Sequence, residues 1–97
     1  MAIVGFGNKL AEDLYDDRQS KEIRHFPSEL YRIARRKLLY LHSASTLGDL
    51  RVPPGNRLEA LHGQWRGYFS IRINQQWRVL FRWQGANAHD VRVLDYH

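Results

Sequence analysis

Two hydrophobic periods divide the chain, and the change between them falls at Leu58. In "SELYRIARRKLLYLHSA" apolar residues recur at Leu30, Ile33, Ala34, Leu38 and Leu41. That spacing lays one stripe along a helix. Arg32, Arg35, Arg36 and Lys37 cover much of the remaining helix surface. Pro27 suits the first helical position, where its missing N–H would have had no partner, and Phe26 or Ser28 stands beside it as the cap. From Leu58 the period is two. "YFSIRI" sets Phe69, Ile71 and Ile73 on one face, with Ser70 and Arg72 on the other. "WRVLFRW" sets Trp77, Val79, Phe81 and Trp83 inward, with Arg78, Leu80 and Arg82 outward. "NQQ" and "QGAN" turn the chain, and "HDVRVLDYH" follows. The pattern predicts an antiparallel meander of three strands, preceded by a short fourth at "NRLEAL".

The first part of the chain is read by its punctuation. "IVGF" is short, β-branched and aromatic, and predicts an opening strand. Asn8 caps a short helix, "KLAEDLYDD", whose apolar stripe is Leu10, Ala11 and Leu14. Its acids reach the C-terminal end, where the helix dipole disfavours them, so this helix needs tertiary support. "RQSKEIRHF" reads as a polar connector. "STLGDLRVPPGNR" carries Gly48, Pro53, Pro54 and Gly55 and reads as a loop holding one helical turn. The fold class is therefore α+β: an N-terminal strand, two helices, then a twisted antiparallel sheet of three to four strands with the helices on one face. The whole chain, 1–97, reads as one domain without repeat or linker.

Composition narrows the function classes. No apolar run approaches a membrane span, and "MAIVGFGNKLAEDL" has neither half of an export signal, so the cytoplasm is the expected compartment. The absence of Cys excludes disulfides and thiolate chemistry. The formal charge is +5, unevenly spread. Residues 1–17 set Lys9 against Glu12, Asp13, Asp16 and Asp17. From residue 51 onward all seven cations are Arg: Arg51, Arg57, Arg66, Arg72, Arg78, Arg82 and Arg92. Arginine forks phosphate bidentately and stacks flat on bases, and a pI near 10.0 in a small domain fits a polyanion partner. Ordinary solvated charge is the competing explanation.

Arg72, Arg78, Arg82 and Arg92 fall on one sheet face if the alternation holds. Like charges opposite one another repel, so they either splay into solvent or line a surface for phosphates. A metal site is not expected. Asp95 and His97 share a strand face, but no third ligand is evident. No Ser sits in a nucleophile elbow, and "GFGNKL" has the wrong spacing for a dinucleotide loop. RNA cleavage asks for less, because the substrate's 2′-hydroxyl is the nucleophile. The protein needs a base, an acid and a cation for the phosphorane. Asp95, Tyr96, His97, Arg78 and His62 hold that inventory. Strand alternation puts Asp95 and His97 on one face and Tyr96 on the other, and a bulge would reverse which of them shares the face of Arg78.

"VPPGNRLEALHG", then "GYFSIRINQQWRVLFRW", then "DVRVLDYH" is an order of motifs that resembles the HigB group of bacterial toxins in the RelE superfamily. The likeness covers nearly the whole chain, and its most specific parts are the "SIRINQQWRVLF" stretch and the closing Asp-Tyr-His. It implies a compact α+β microdomain and the toxin half of a type II toxin–antitoxin pair. Such toxins enter the ribosomal A site and cleave mRNA without a cofactor. A helix-turn-helix antitoxin neutralises them, and operator DNA is bound only through that antitoxin. On this resemblance Arg78 grips the scissile phosphate, and Asp95, Tyr96 and His97 supply acid–base chemistry and positioning. His62 joins them, and Arg66, Arg72, Gln76, Arg82 and Arg92 are the expected RNA contacts. There are departures. Such toxins commonly read His-Pro-Leu-Lys-Gly where this chain reads "EALHG", so Glu59 stands at the usual His and His62 at the usual Lys. His62 can still carry positive charge beside a phosphate, or shuttle a proton, which Lys does less readily near neutral pH. Gln76 replaces an Asn of some members. Glu59 reads as a strand residue. Two other classes compete with the enzyme: a non-catalytic nucleic-acid-binding module, and an inactive toxin homologue kept to act with an antitoxin in operon repression.

Overall fold

The computed structural model describes residues 2–96. Three helices, α1 (Lys9–Asp16), α2 (Lys21–His25) and α3 (Tyr31–Ser43), precede four strands, β1 (Glu59–Ala60), β2 (Phe69–Arg72), β3 (Trp77–Gln84) and β4 (Asn87–Asp95). The strands form one sheet in chain order, every neighbouring pair antiparallel. The α+β class and the meander are as expected. None of the described helices is long and apolar enough to cross a membrane.

The opening segment differs from a regular strand. It runs parallel to β4 and joins it through two isolated bridges, Ile3 with Ala88 and Phe6 with Val91. The reason lies in β4. Between the pairs Leu80–Arg92 and Arg82–His89 the register shifts, and Asp90 sits there with φ 52°. This bulge interrupts the edge ladder that the opening segment would otherwise follow. Gly7 fits against it because it has no side chain. A Cβ there would meet Asp90 Oδ1 at 2.2 Å. Asn8 then does two jobs. Its Oδ1 accepts from Ala11 N at 3.1 Å as the cap of α1, while its amide pairs with the backbone of Val93 (Nδ2 to Val93 O 3.0 Å, Val93 N to Oδ1 3.3 Å).

At its C-terminal end, the support that α1 needed comes from α3. Arg35 donates to the carbonyls of Leu14 (2.8 Å) and Tyr15 (3.2 Å), placing a cation on the negative end of the dipole. The Tyr31 hydroxyl donates to Asp17, and Arg18 pairs with Asp16 at 3.1 Å. Asp13 is buried and bridged to Lys9 at 2.9 Å. Hydrogen bonds from Ser20 and then Lys9 hold its carboxyl below the usual value.

The expected connector holds α2, a five-residue helix capped by Ser20, whose hydroxyl accepts from Ile23 N at 3.2 Å. The helix predicted from Pro27 begins as a 3₁₀ turn, Ser28–Leu30, and becomes α-helical at Tyr31. Leu38 and Leu41 of α3 and Leu14 of α1 pack on Ile71, Val79, Phe81, Val91 and Val93, all fully or almost fully buried. Each such side chain contributes roughly 1.5–3 kcal/mol through burial. Lys37, expected on the solvated side of α3, is instead buried with its Nζ 2.5 Å from the buried Asn56 Oδ1. Burial pushes its pKa down. That bond ties the loop before β1 to the helical layer.

Candidate functional site

The second face of the sheet is also partly dry. Leu80, expected to point outward, does leave the main core, yet it is fully buried in a separate cluster with Leu61 and Tyr68. Trp65, Leu94 and Tyr96 pack around that cluster. The register explains which polar groups join it. One row across the sheet reads Glu59, Ser70, Leu80, Arg92, and the next reads Arg72, Arg78, Leu94. Tyr96 continues the side of Arg92 and Leu94, held by its N–H to Gln76 O at 2.7 Å.

Arg78 is the centre of this face. Its side chain is 10% exposed, with Nη1 3.1 Å from Oε1 of Glu59, whose side chain is 55% exposed. The Tyr96 ring lies beside the guanidinium, 5.8 Å from Cζ to ring centroid, within cation–π range. Arg72 stands directly opposite Arg78 on β2, a like-charge pair that sheets ordinarily avoid. Three buried polar atoms here have no hydrogen-bond partner among the described residues: Arg72 Nε, Arg78 Nε and Ser70 Oγ. Each orphaned donor costs on the order of 1–3 kcal/mol. Two opposed guanidiniums with unspent donors make a site suited to an anion, and the adjacent hydroxyl can donate as well.

The other arginines of this face are tied to aromatics. Arg82 stacks on Tyr68 with Cζ 4.4 Å from the ring centroid. Arg92 lies 5.6 Å from the Trp65 ring and pairs with Asp90 at 3.3 Å. The Tyr68 hydroxyl also donates to Asp90, which joins these groups into one border beside the buried cluster. Arg66 is exposed in the turn before β2.

The remaining expected residues are divided. Asp95 pairs across the ladder with Trp77, which puts it on the face opposite Arg78 and Tyr96. There Gln76 Nε2 donates to its Oδ2 at 2.7 Å. His62 is exposed just before the turn Gly63–Trp65, and its imidazole makes no bond to the described residues. His97 lies outside the described residues. The structure thus brings together Arg72, Arg78 and Tyr96, and separately Gln76 with Asp95. Among the described residues no group of three His, Asp or Glu side chains is placed to hold a metal ion.

Glu59, read from the sequence as a strand residue, is brought against Arg78. Its contact with Arg78 runs diagonally over β2, from β1 to β3, and depends on three strands being in register. The sequence carried two signals: Glu59 stands at the usual His of the motif, and it is one of few acids among the arginine-rich strands.

Residues 4–97 match the family model described as the RelE-like toxin of the type II toxin–antitoxin system HigB. Toxin HigB-1 of Vibrio cholerae serotype O1 is 44% identical to the chain over 92 residues, covering 95% of this chain and 94% of that protein. An uncharacterized protein of Haemophilus influenzae is 35% identical over 83 residues, which is 86% of this chain and 77% of that one. With the family match spanning almost every residue and the arginine-centred face in place, the chain belongs to the HigB-like toxins of type II toxin–antitoxin systems.

Proposed function

We propose that this toxin, with residues 1–97 acting as one domain, is an endoribonuclease that cuts translated mRNA in the ribosomal A site by attack of the 2′-hydroxyl on the adjacent phosphate. The observation that carries the reading is the buried Arg78, whose Nε, like that of the facing Arg72, has no partner among the described residues. A scissile phosphate satisfies both donors and relieves the like-charge repulsion. The bound phosphate is then held by charge already in place, which is where the largest gain in such reactions arises. Tyr96 sits against the guanidinium on the same face. It positions the phosphate and, with His97, protonates the leaving 5′-oxygen. Asp95, gripped by Gln76, fixes the end of β4 from the other side. Arg66, Arg82 and Arg92 follow the flanking strand, and the guanidinium planes on Tyr68 and Trp65 offer stacking surfaces for bases. His62, exposed before the turn Gly63–Trp65, adds a further contact to the RNA. The toxin acts in the cytoplasm, and a helix-turn-helix antitoxin covers it and carries operator recognition.

The test is to map 5′ ends on a translated reporter and on the same RNA left untranslated. Wild type is expected to cut the translated message alone. Arg78→Ala is expected to reduce cutting by about 10²–10³-fold, as for loss of one preorganised donor group. Growth arrest and cutting that survive both Arg78→Ala and removal of His97 would refute the assignment. Salt-dependent RNA binding without any cut ends would mark the protein as a binding module instead.

A further inference from the structure

We propose that Arg57 is a further phosphate-binding residue of this protein, taking the message phosphate next to the one held by Arg78. This rests on the reading of Arg78 as the phosphate-binding group. Arg57 follows the 3₁₀ turn Pro54–Asn56 and adopts φ 47° and ψ 58°, in the left-handed region. Glycine or asparagine ordinarily fills such a position, because a larger side chain crowds the neighbouring carbonyl. The turn accounts for the backbone: Arg57 N donates to Pro54 O at 3.1 Å and closes the turn ahead of β1. It does not account for the arginine. The guanidinium is exposed and makes no hydrogen bond or ion pair with the described residues. Local strain kept without an internal contact to offset it points to a contact outside the protein. The other two non-glycine residues of positive φ, Asp17 and Asp90, differ on both counts. Aspartate tolerates the region better, and each carboxylate has partners, Tyr31 for Asp17 and Tyr68 with Arg92 for Asp90.

The register shows where this arginine stands. β1 pairs with β2 as Glu59–Ser70 and Ala60–Phe69. Counted back toward the loop, that register brings Arg57 to the level of Arg72, which itself pairs with Arg78. The row Arg72, Arg78, Leu94 thus gains a third arginine at its outer end. Neighbouring strands lie roughly 4.8 Å apart, so the backbone of Arg57 stands roughly 10 Å from that of Arg78. The unspent donors of Arg72 and Arg78 take one phosphate, and Arg57, one strand further out, meets the next.

The position is braced from the helical layer. Asn56 is fully buried just before it. Its Oδ1 accepts from Lys37 Nζ at 2.5 Å, and its Nδ2 donates to the carbonyls of Leu50 at 3.2 Å and Val52 at 3.4 Å. Bonded at both ends of its amide, Asn56 fixes the loop, and the backbone of Arg57 is set before RNA arrives. An anchored backbone leaves less to be ordered on binding.

The experiment measures binding of the full chain to a 2′-O-methyl RNA oligonucleotide, which lacks the 2′-hydroxyl nucleophile and stays uncut. Fluorescence anisotropy is followed from about 50 to about 200 mM salt for wild type, Arg57→Asn, Arg57→Lys and Arg78→Ala, and each protein is also melted. One phosphate contact on a single strand contributes about 0.7 to the slope of log affinity against log salt. Arg57→Asn is expected to flatten the slope by about that amount while melting at or above the wild-type temperature, since asparagine tolerates the left-handed region. Arg57→Lys keeps the charge and is expected to keep the slope. An unchanged slope in Arg57→Asn would overturn the proposal. So would a lower melting temperature in Arg57→Asn, which would give the residue a role in the fold. Failure of the Arg78 reading shows differently, as a wild-type slope in Arg78→Ala. Wild type that leaves translated message intact is a failure of the proposed reaction, and it does not move the slope.

Discussion

Arg72 offers a direct test of whether the second sheet face gives up stability in order to bind an anion. Its Nε is buried without a partner among the described residues, and its strand neighbour across the ladder is Arg78. Replacing it with Met keeps an unbranched stem of similar length and removes the charge. Loss of one orphaned donor is worth about 1–3 kcal/mol. Relief of a directly opposed like-charge pair adds roughly 0.2–1 kcal/mol. Arg72→Met is therefore expected to stabilise the free protein by at least about 1 kcal/mol, which for a domain of this size raises Tm by about 4–8 °C. Calorimetry without added anions is the assay. A second arm adds inorganic phosphate. At ten times its Kd, phosphate stabilises the native state by about 1.4 kcal/mol, and this increment should be present in wild type and greatly reduced in Arg72→Met. A variant melting at or below the wild-type temperature, with phosphate raising both proteins equally, would refute the reasoning. It would mean that the opposed guanidiniums carry no cost and define no anion site.

Two further outcomes test the frame around the site. Asn8→Ala removes a helix cap, costing ~0.5–2 kcal/mol, and strips the Val93 backbone of its partner as well, so urea denaturation should show a loss above the upper end of that range. Acid stability should follow Asp13 and Asp49, both held below the ordinary carboxylate value of 3.8, the first by hydrogen bonds from Ser20 and Lys9 and the second by the Thr46 and Ser45 amides. A depressed folded pKa gives stability that is present above the unfolded value and is lost as pH falls through the folded one. Melting curves from pH ~5 down to pH ~2 should therefore fall less steeply in Asp13→Asn than in wild type.

The long periodic segments were legible because each answers to one dominant constraint. The stripe of α3 and the alternation of β2 and β3 both point into the core that holds Leu38, Ile71 and Phe81. Leu80 was placed outward because alternation separates two faces without saying which are wet, and here the second face is buried too. The short α2 escaped because five residues are too few to show a period. Its signs are a Ser20 cap and a basic last turn. Lys37 was assigned to water by its charge, while Asn56, nineteen residues on, supplies the acceptor that permits its burial. The site was half readable. Arg78 could be named from its motif, but its pairing with Glu59 exists only after β1, β2 and β3 align, and a two-residue strand gives little by which to judge that alignment.

The bulge at Asp90 works like a frameshift in the strand's two-letter alphabet. On the hairpin side of it, Arg82 pairs with His89, and beyond it Arg78 pairs with Leu94, one residue further than straight counting gives. Flatten the bulge with its residue kept in the strand, and the count runs on unbroken. Arg78 would then face Val93, Val91 would follow it outward, and Arg92, Leu94 and Tyr96 would turn toward the hydrophobic core. One left-handed aspartate thus decides which half of "VRVLDYH" is spelled toward the guanidinium and which half toward the helices.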